Sequence, residues 1–143
     1  MSQQQSLYQS LAASGATLIA FVGVCHEFIG HIVFPWAPAF VGGPIVWHSL
    51  GLFTIIFGLL LLAGTLRLIK FPVIRLSLVA AAIGIGLVVV TATLHHQFHM
   101  PALAVALSGF VTAFCHRKAA QQGAPAERLA SASVQQAAAE LGR

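Results

Sequence analysis

Charged residues are scarce in this sequence: they make up 7% of its 143 residues, and only three of them are acidic. A soluble domain carries about 25% charged residues, because its surface has to be hydrated. A small domain cannot hide such a deficit in its core, since most of its residues lie near the surface. With 58% of residues hydrophobic, the composition excludes an ordinary soluble fold and indicates a single membrane domain.

Lysine and arginine are absent from residues 1–66 and 76–116, so the cations cluster just beyond apolar runs. No aromatic residues alternate with these cations, as a platform for stacking nucleic-acid bases would require. We therefore attribute the net charge of +4 to cations that orient the chain in a membrane, and nucleic acid is excluded as a partner.

Cysteine is also rare, because Cys25 and Cys115 are the only two and they lie in separate apolar runs. Neither belongs to a C-x-x-C pair, which argues against a cysteine-based zinc or redox motif and against covalent haem attachment. The sequence also lacks a nucleophile–base pair, a phosphate-binding loop and a nucleotide fingerprint. Any catalysis would therefore depend on a bound cofactor.

Four apolar stretches have about the length that a membrane-spanning helix needs. They cover residues 11–34, 45–66, 73–94 and 101–115, and proline or glycine residues separate them. The sequence thus predicts an all-α, antiparallel, up-down four-helix transmembrane bundle over residues 11–116. A short segment, residues 1–10, precedes it. An Ala/Gln-rich tail, residues 117–143, follows it, either as a short amphipathic helix after Pro125 or without order.

The orientation follows from the loops. Arg67, Lys70 and Arg75 flank the second turn, and Arg117 and Lys118 follow the last helix. The positive-inside rule then places both termini in the cytoplasm. We expect a multi-pass protein of the plasma membrane, which is the inner membrane if the chain is bacterial. Its surroundings would be the lipid bilayer, with a second copy or a larger membrane complex as further possible partners.

Six of the seven histidines share one predicted layer on the outer side. Odd-numbered helices run outward and even-numbered helices inward, so a late position in helix 1 or 3 matches the depth of an early position in helix 2. The six are His26, His31, His48, His95, His96 and His99. Trp36 and Trp47 bracket the outer loop between helices 1 and 2, where an aromatic belt is expected.

Glu27 lies in the same layer and is the only acidic residue before Glu127. At 1.5 Å per residue it lies roughly 10 Å below the outer end of helix 1. An ionisable group at such depth indicates a functional site facing the protein interior. Small residues, among them Ala16, Ala20 and Gly23, share its helix face at helical spacing, and such residues let membrane helices approach closely.

A transition-metal site is the most specific hypothesis for this layer, because imidazole and carboxylate bind zinc, copper and iron. The predicted ligands are Glu27, His31, His48, His95, His96 and His99. A non-covalent haem b is a variant, in which His26 on one helix and His95 or His96 on another supply the axial nitrogens. The reaction, if there is one, is not specified by these residues.

Two other functions remain open. Glu27 alone, in the first of four short helices, could bind a proton or a cation alternately, as a coupled carrier does. With Gly84 and Gly86 in helix 3, this pattern resembles the small multidrug transporters, a likeness that implies a proton- or cation-coupled carrier. In the other alternative the chain is a non-catalytic accessory subunit whose outer histidines only face headgroups and water.

Overall fold

A computed structural model of the chain describes residues 3–33, 43–95 and 100–141, and these are helical apart from short turns. Side chains are described for residues 3–30, 32–33, 43–93, 100–122 and 135. No strand occurs in the described ranges. The predicted all-α fold is thus confirmed for this part of the chain.

The first helix, α1, covers Gln3–Cys25 and passes through a π-helical turn at His26–Gly30 into a short helix α2, His31–Val33. The others are α3 (Pro44–Thr65), α4 (Val73–His95) and α5 (Met100–Leu141). Four stretches are long and apolar enough to cross a membrane: Gln3–Gly30, Pro44–Thr65, Val73–Thr93 and Met100–Gln122. Each of the four predicted spans thus corresponds to a helix long and apolar enough to cross a membrane, although the first begins nearer the N-terminus and the last ends later than predicted.

The tail continues α5 without a break as far as Leu141. Alanine and glutamine are good helix formers, so the composition of residues 117–141 is consistent with the helical alternative.

The order of the helices across the bundle differs from their order along the chain. α1 packs against α3 on one side and α5 on the other, and α4 packs against α5. α3 and α4 are consecutive in sequence but make little contact. The order across the bundle is therefore α3, α1, α5, α4, and the two outermost helices border a cleft.

Small residues bring α1 close to its neighbours. Ala16, Ala20 and Gly23 are buried, which confirms the predicted close-packing face of helix 1. A side chain at Gly58 of α3 would overlap the backbone of Ala20, and one at Gly23 would lie 2.6 Å from the backbone nitrogen of Ile55. Since lipid supplies no hydrophobic drive between helices, such close contacts largely hold the bundle together.

α3 ends in a Schellman motif with an unusual residue in its left-handed position. The Leu68 N–H donates to the Ala63 carbonyl at 2.9 Å, and the Arg67 N–H donates to the Gly64 carbonyl at 3.1 Å. Arg67 has φ 60° and is the only non-glycine residue with positive φ in the described ranges. Glycine is the usual residue here, because a side chain in this conformation costs about 1–2 kcal/mol.

Two glycine substitutions test the close approach of α1 and α3. We expect Gly58→Ala to lower the free energy of unfolding by about 1–3 kcal/mol, because the new methyl group overlaps Ala20 and the helices must move apart. Gly86→Ala is the matched control, since no heavy atom lies within 4 Å of its added carbon. Alanine's higher helix propensity makes that change neutral or slightly stabilising.

Thermal unfolding of both variants in one detergent would measure the difference. Equal unfolding temperatures for Gly58→Ala and the wild type would show that the bundle does not depend on this contact.

Candidate functional site

A carboxylate–imidazole contact joins the π-helical turn to the start of α3. Oε1 of Glu27 lies 2.8 Å from Nδ1 of His48, and it is the only salt bridge among the described residues. The Glu27 side chain is 22% exposed and that of His48 is 52% exposed. With Glu27 ionised and His48 neutral, Nδ1 donates to the carboxylate, and the other ring nitrogen, Nε2, keeps its lone pair for another partner.

Local structure at the start of α3 fixes the position of His48. Gly43 precedes the helix with φ 100°, a conformation that glycine adopts readily, and Pro44 occupies the first turn. The Trp47 N–H donates to the Gly43 carbonyl at 3.1 Å, so the helix is already formed where His48 emerges. The imidazole therefore projects from the first turns of a helix packed against α1.

The second oxygen of Glu27, Oε2, is buried and has no hydrogen-bond partner within the described part of the chain. It lies beside Gly51 of α3, where an added side-chain carbon would come within 2.6 Å of it. The carboxylate thus fits against α3 only because position 51 has no side chain. A buried carboxylate oxygen without a partner is costly, which makes it a potential ligand atom.

His26 is held by Trp47 rather than by Glu27 or His48. The two rings stack with centroids 3.8 Å apart and planes inclined by 22°. Nε2 of His26 donates to the Trp47 carbonyl at 3.1 Å, because a carbonyl can only accept. That bond leaves Nδ1 as the remaining acceptor of His26.

Trp47 is 4% exposed, so it is a packed residue, whereas the sequence suggested a position in the aromatic belt. Gly30 makes room for it, since a side chain there would lie 2.7 Å from the indole ring. Trp36 lies outside the described residues. Sequence reasoning missed the contact between Trp47 and His26, because that contact depends on how α3 packs against the π-helical turn.

The π-helical turn brings His26 and Glu27 to the same neighbour. A regular α-helix separates consecutive residues by 100°, so it would direct His26 and Glu27 to different parts of the helix surface. In a π-helix the hydrogen bonds run from i to i+5, which changes the register of the face, and such turns are frequent at functional sites. Both residues contact the first turns of α3.

The other predicted ligands are placed only in part. His31 begins α2 and His95 ends α4, but their side chains are not among those described. His96 and His99 lie outside the described ranges. Among the residues the structure does describe, no group of three or more metal-ligating side chains is found. The structure thus brings together Glu27 and His48, with His26 beside them on Trp47.

The cleft between α3 and α4 has a volume of about 290 Å³ and is lined mainly by apolar side chains. His26 and Trp47 lie on its wall, as does Thr91 of α4. Because His95 follows Thr91 by one helical turn, the end of α4 lies near the same level as the Glu27–His48 pair.

No protein-family model, no curated protein and no solved structure matches this chain.

A double-mutant cycle tests the Glu27–His48 pair. We expect Glu27→Ala and His48→Ala to show a coupling free energy of about 1 kcal/mol in detergent-solubilised protein. That value is at the lower end for residues in contact, because half of the imidazole is exposed and solvent screens the pair. Unfolding of the two single variants and the double variant gives the coupling directly.

His116 provides the matched control, because it lies at the opposite end of the bundle, beside Thr65. The effects of Glu27→Ala and His116→Ala should simply add. A coupling as large for this distant pair as for Glu27–His48 would argue against a specific contact.

Proposed function

We propose that this chain is a small multi-pass membrane protein that binds a transition metal ion at Glu27 and His48, on the outer side of the membrane. The contact of 2.8 Å between Oε1 of Glu27 and Nδ1 of His48 is the observation that supports this most directly. A histidine that binds a metal commonly donates its other ring N–H to a carboxylate, which fixes the ring and makes the free nitrogen more basic.

In this proposal Nε2 of His48 is the ligand atom, and the Glu27 carboxylate, in contact with Nδ1 of the same ring, orients the imidazole. Zinc, copper and iron all accept imidazole nitrogen, and carboxylate oxygen completes mixed sites. The charge of the metal would offset the cost of keeping Glu27 ionised among apolar helices. His31, His95, His96 and His99 remain the predicted sources of further ligands.

Haem b remains a variant of the proposal, with His26, His95 and His96 as its predicted axial residues. Because His26 already donates Nε2–H to the Trp47 carbonyl, only its Nδ1 is free for iron. His48, whose Nε2 is free when Nδ1 bonds to Glu27, keeps the ring nitrogen that is farther from its backbone for a ligand. An optical spectrum distinguishes haem from a metal ion bound by side chains alone.

The proposed orientation has both termini in the cytoplasm. Arg67 and Lys70 border the same cavity as Gln5 of α1 and His116 of α5, so the basic turn lies at the end of the bundle opposite Glu27 and His48. The positive-inside rule assigns that basic end to the cytoplasm. The Glu27–His48 pair would then face the outer leaflet of the plasma membrane.

Metal analysis tests the proposal. Protein purified without chelators should carry close to one transition metal ion or haem per chain, measured by elemental analysis and an optical spectrum. His48→Ala should remove it, and Glu27→Gln should weaken its binding by about 10–100-fold, the usual effect of losing an orienting carboxylate. His116→Ala is the control and should retain it, because His116 lies at the other end of the bundle.

Wild-type protein with neither metal nor haem after loading with zinc, copper and iron salts would contradict the proposal. The same conclusion would follow if the His48→Ala and His116→Ala variants bound equal amounts of metal or haem.

A proton- or cation-coupled carrier is the second candidate, and one observation favours it. The mostly buried carboxylate of Glu27 touches an imidazole that is half exposed, so His48 could pass protons between the medium and Glu27. Histidine is suited to this relay because its ordinary pKa lies near neutral pH.

Proteoliposomes with a pH gradient would test this alternative, with ethidium as the transported cation. A carrier predicts uptake that Glu27→Gln abolishes, because the amide cannot exchange a proton, and that persists without metal. His116→Ala, the control, should leave uptake unchanged. If Glu27→Gln alters neither metal content, uptake nor stability, the remaining alternative is an accessory subunit.

A further inference from the structure

A second cavity of about 390 Å³ lies at the opposite end of the bundle from Glu27. Three segments that are distant in sequence form it: the start of α1, the turn between α3 and α4, and the middle of α5. The polar side chains on its wall are those of Gln5, Gln9, Thr65, Arg67, Lys70 and His116. We call it the basic cavity.

The residues that line the basic cavity include two cations and no acid. Neither Arg67 nor Lys70 forms a salt bridge with another described residue. The guanidinium and the ammonium are hydrogen-bond donors, and the imidazole can be one. The charge of this cavity therefore calls for an anionic ligand with several acceptor oxygens.

The backbone of Arg67 points to the same conclusion. It occupies the left-handed position of the Schellman motif with φ 60°, where glycine would be free of strain. Strained residues of this kind are concentrated at functional sites, where the side chain is needed. Here the strained residue places a guanidinium at the rim of the cavity.

The level of the cavity in the membrane narrows the choice of ligand. Thr65 is the last residue of one span and Arg67 and Lys70 follow it directly, while His116 lies near the end of the Met100–Gln122 span. These residues lie where a span passes into the headgroup layer. Basic pockets between membrane helices at this level typically bind lipid headgroups.

We propose that the basic cavity binds a phosphate group, with Arg67 contacting two of its oxygens and Lys70 supplying a second positive charge. A planar guanidinium suits such a two-point contact, whereas an ammonium acts as a point charge. The depth of the cavity favours the phosphate of an anionic phospholipid over free phosphate. The site is independent of the proposed metal site.

A lipid-response assay tests this proposal with the wild-type chain and two variants of it. Arg67→Gly with Lys70→Gln removes both cations, and glycine at position 67 relieves the strained backbone, so this variant should fold at least as well as the wild type. Arg75→Gln is the matched control, because Arg75 is an exposed cation of the same region that does not line the cavity. Each protein is purified in a non-ionic detergent.

Thermal unfolding is then followed with added phosphatidylglycerol, phosphatidylcholine or inorganic phosphate. Phosphatidylglycerol, but not phosphatidylcholine, should raise the unfolding temperature of the wild type and of Arg75→Gln. In the double variant its apparent affinity should fall roughly 30-fold, the combined contribution expected for two cations near a membrane surface. Stabilisation by inorganic phosphate that the double variant loses would instead identify free phosphate as the source of the group.

An equal response of the double variant and the wild type to phosphatidylglycerol would overturn the proposal. The proposal would also be overturned if Arg75→Gln lost as much affinity for phosphatidylglycerol as the double variant does. Such a result would indicate diffuse electrostatic attraction rather than a site. If the double variant without added lipid unfolds at or above the temperature of the wild type, the variant is folded. A lost response to lipid can then be assigned to the missing cations.

Discussion

The close approach of α1 and α3 is the constraint on which the rest of this structure depends. Membrane helices associate through packing contacts, because lipid is as apolar as their side chains. Gly58 meets the backbone of Ala20, and Gly51 leaves room for the Glu27 carboxylate. Only at this separation can Oε1 of Glu27 reach Nδ1 of His48 at 2.8 Å. Larger side chains along this seam would separate the groups that form the candidate site, even if every ionisable residue were kept.

The spans were predictable because membrane-spanning length and apolarity can be read directly from a sequence. The relative depth of the polar side chains was predictable too. Because alternate helices run in opposite directions, Glu27 and His48 were expected in one layer. Their direct contact could not be derived, because it depends on which helices are neighbours. Glycine and alanine occur on several helices here, so composition alone does not decide that α1 lies between α3 and α5.

The π-helical turn at His26–Gly30 shows a different limit of sequence reasoning. Face arguments assume a constant 100° per residue, and a change of hydrogen bonding from i+4 to i+5 breaks that assumption. A π-helical turn is less stable than an α-helical one, and its free-energy cost is offset here by the contacts of Glu27 with His48 and of His26 with Trp47. Those contacts involve α3, so the information that favours the turn lies partly outside the HEFIG segment itself.

The charged groups of the two proposed sites lie at opposite ends of the bundle, and this separation has a physical consequence. Glu27 and His48 lie at one end, and Arg67 and Lys70 at the other, with the apolar length of α3 between them. Over that distance, direct electrostatic coupling through the protein is weak compared with contact at either end. Movement of α3 against α1 is one route by which the two ends could still affect each other. The glycine–alanine contacts oppose such movement, because a shift along the helices would bring a larger side chain against a backbone. A ligand at either end should accordingly act locally, so the two proposed sites are expected to bind their ligands independently.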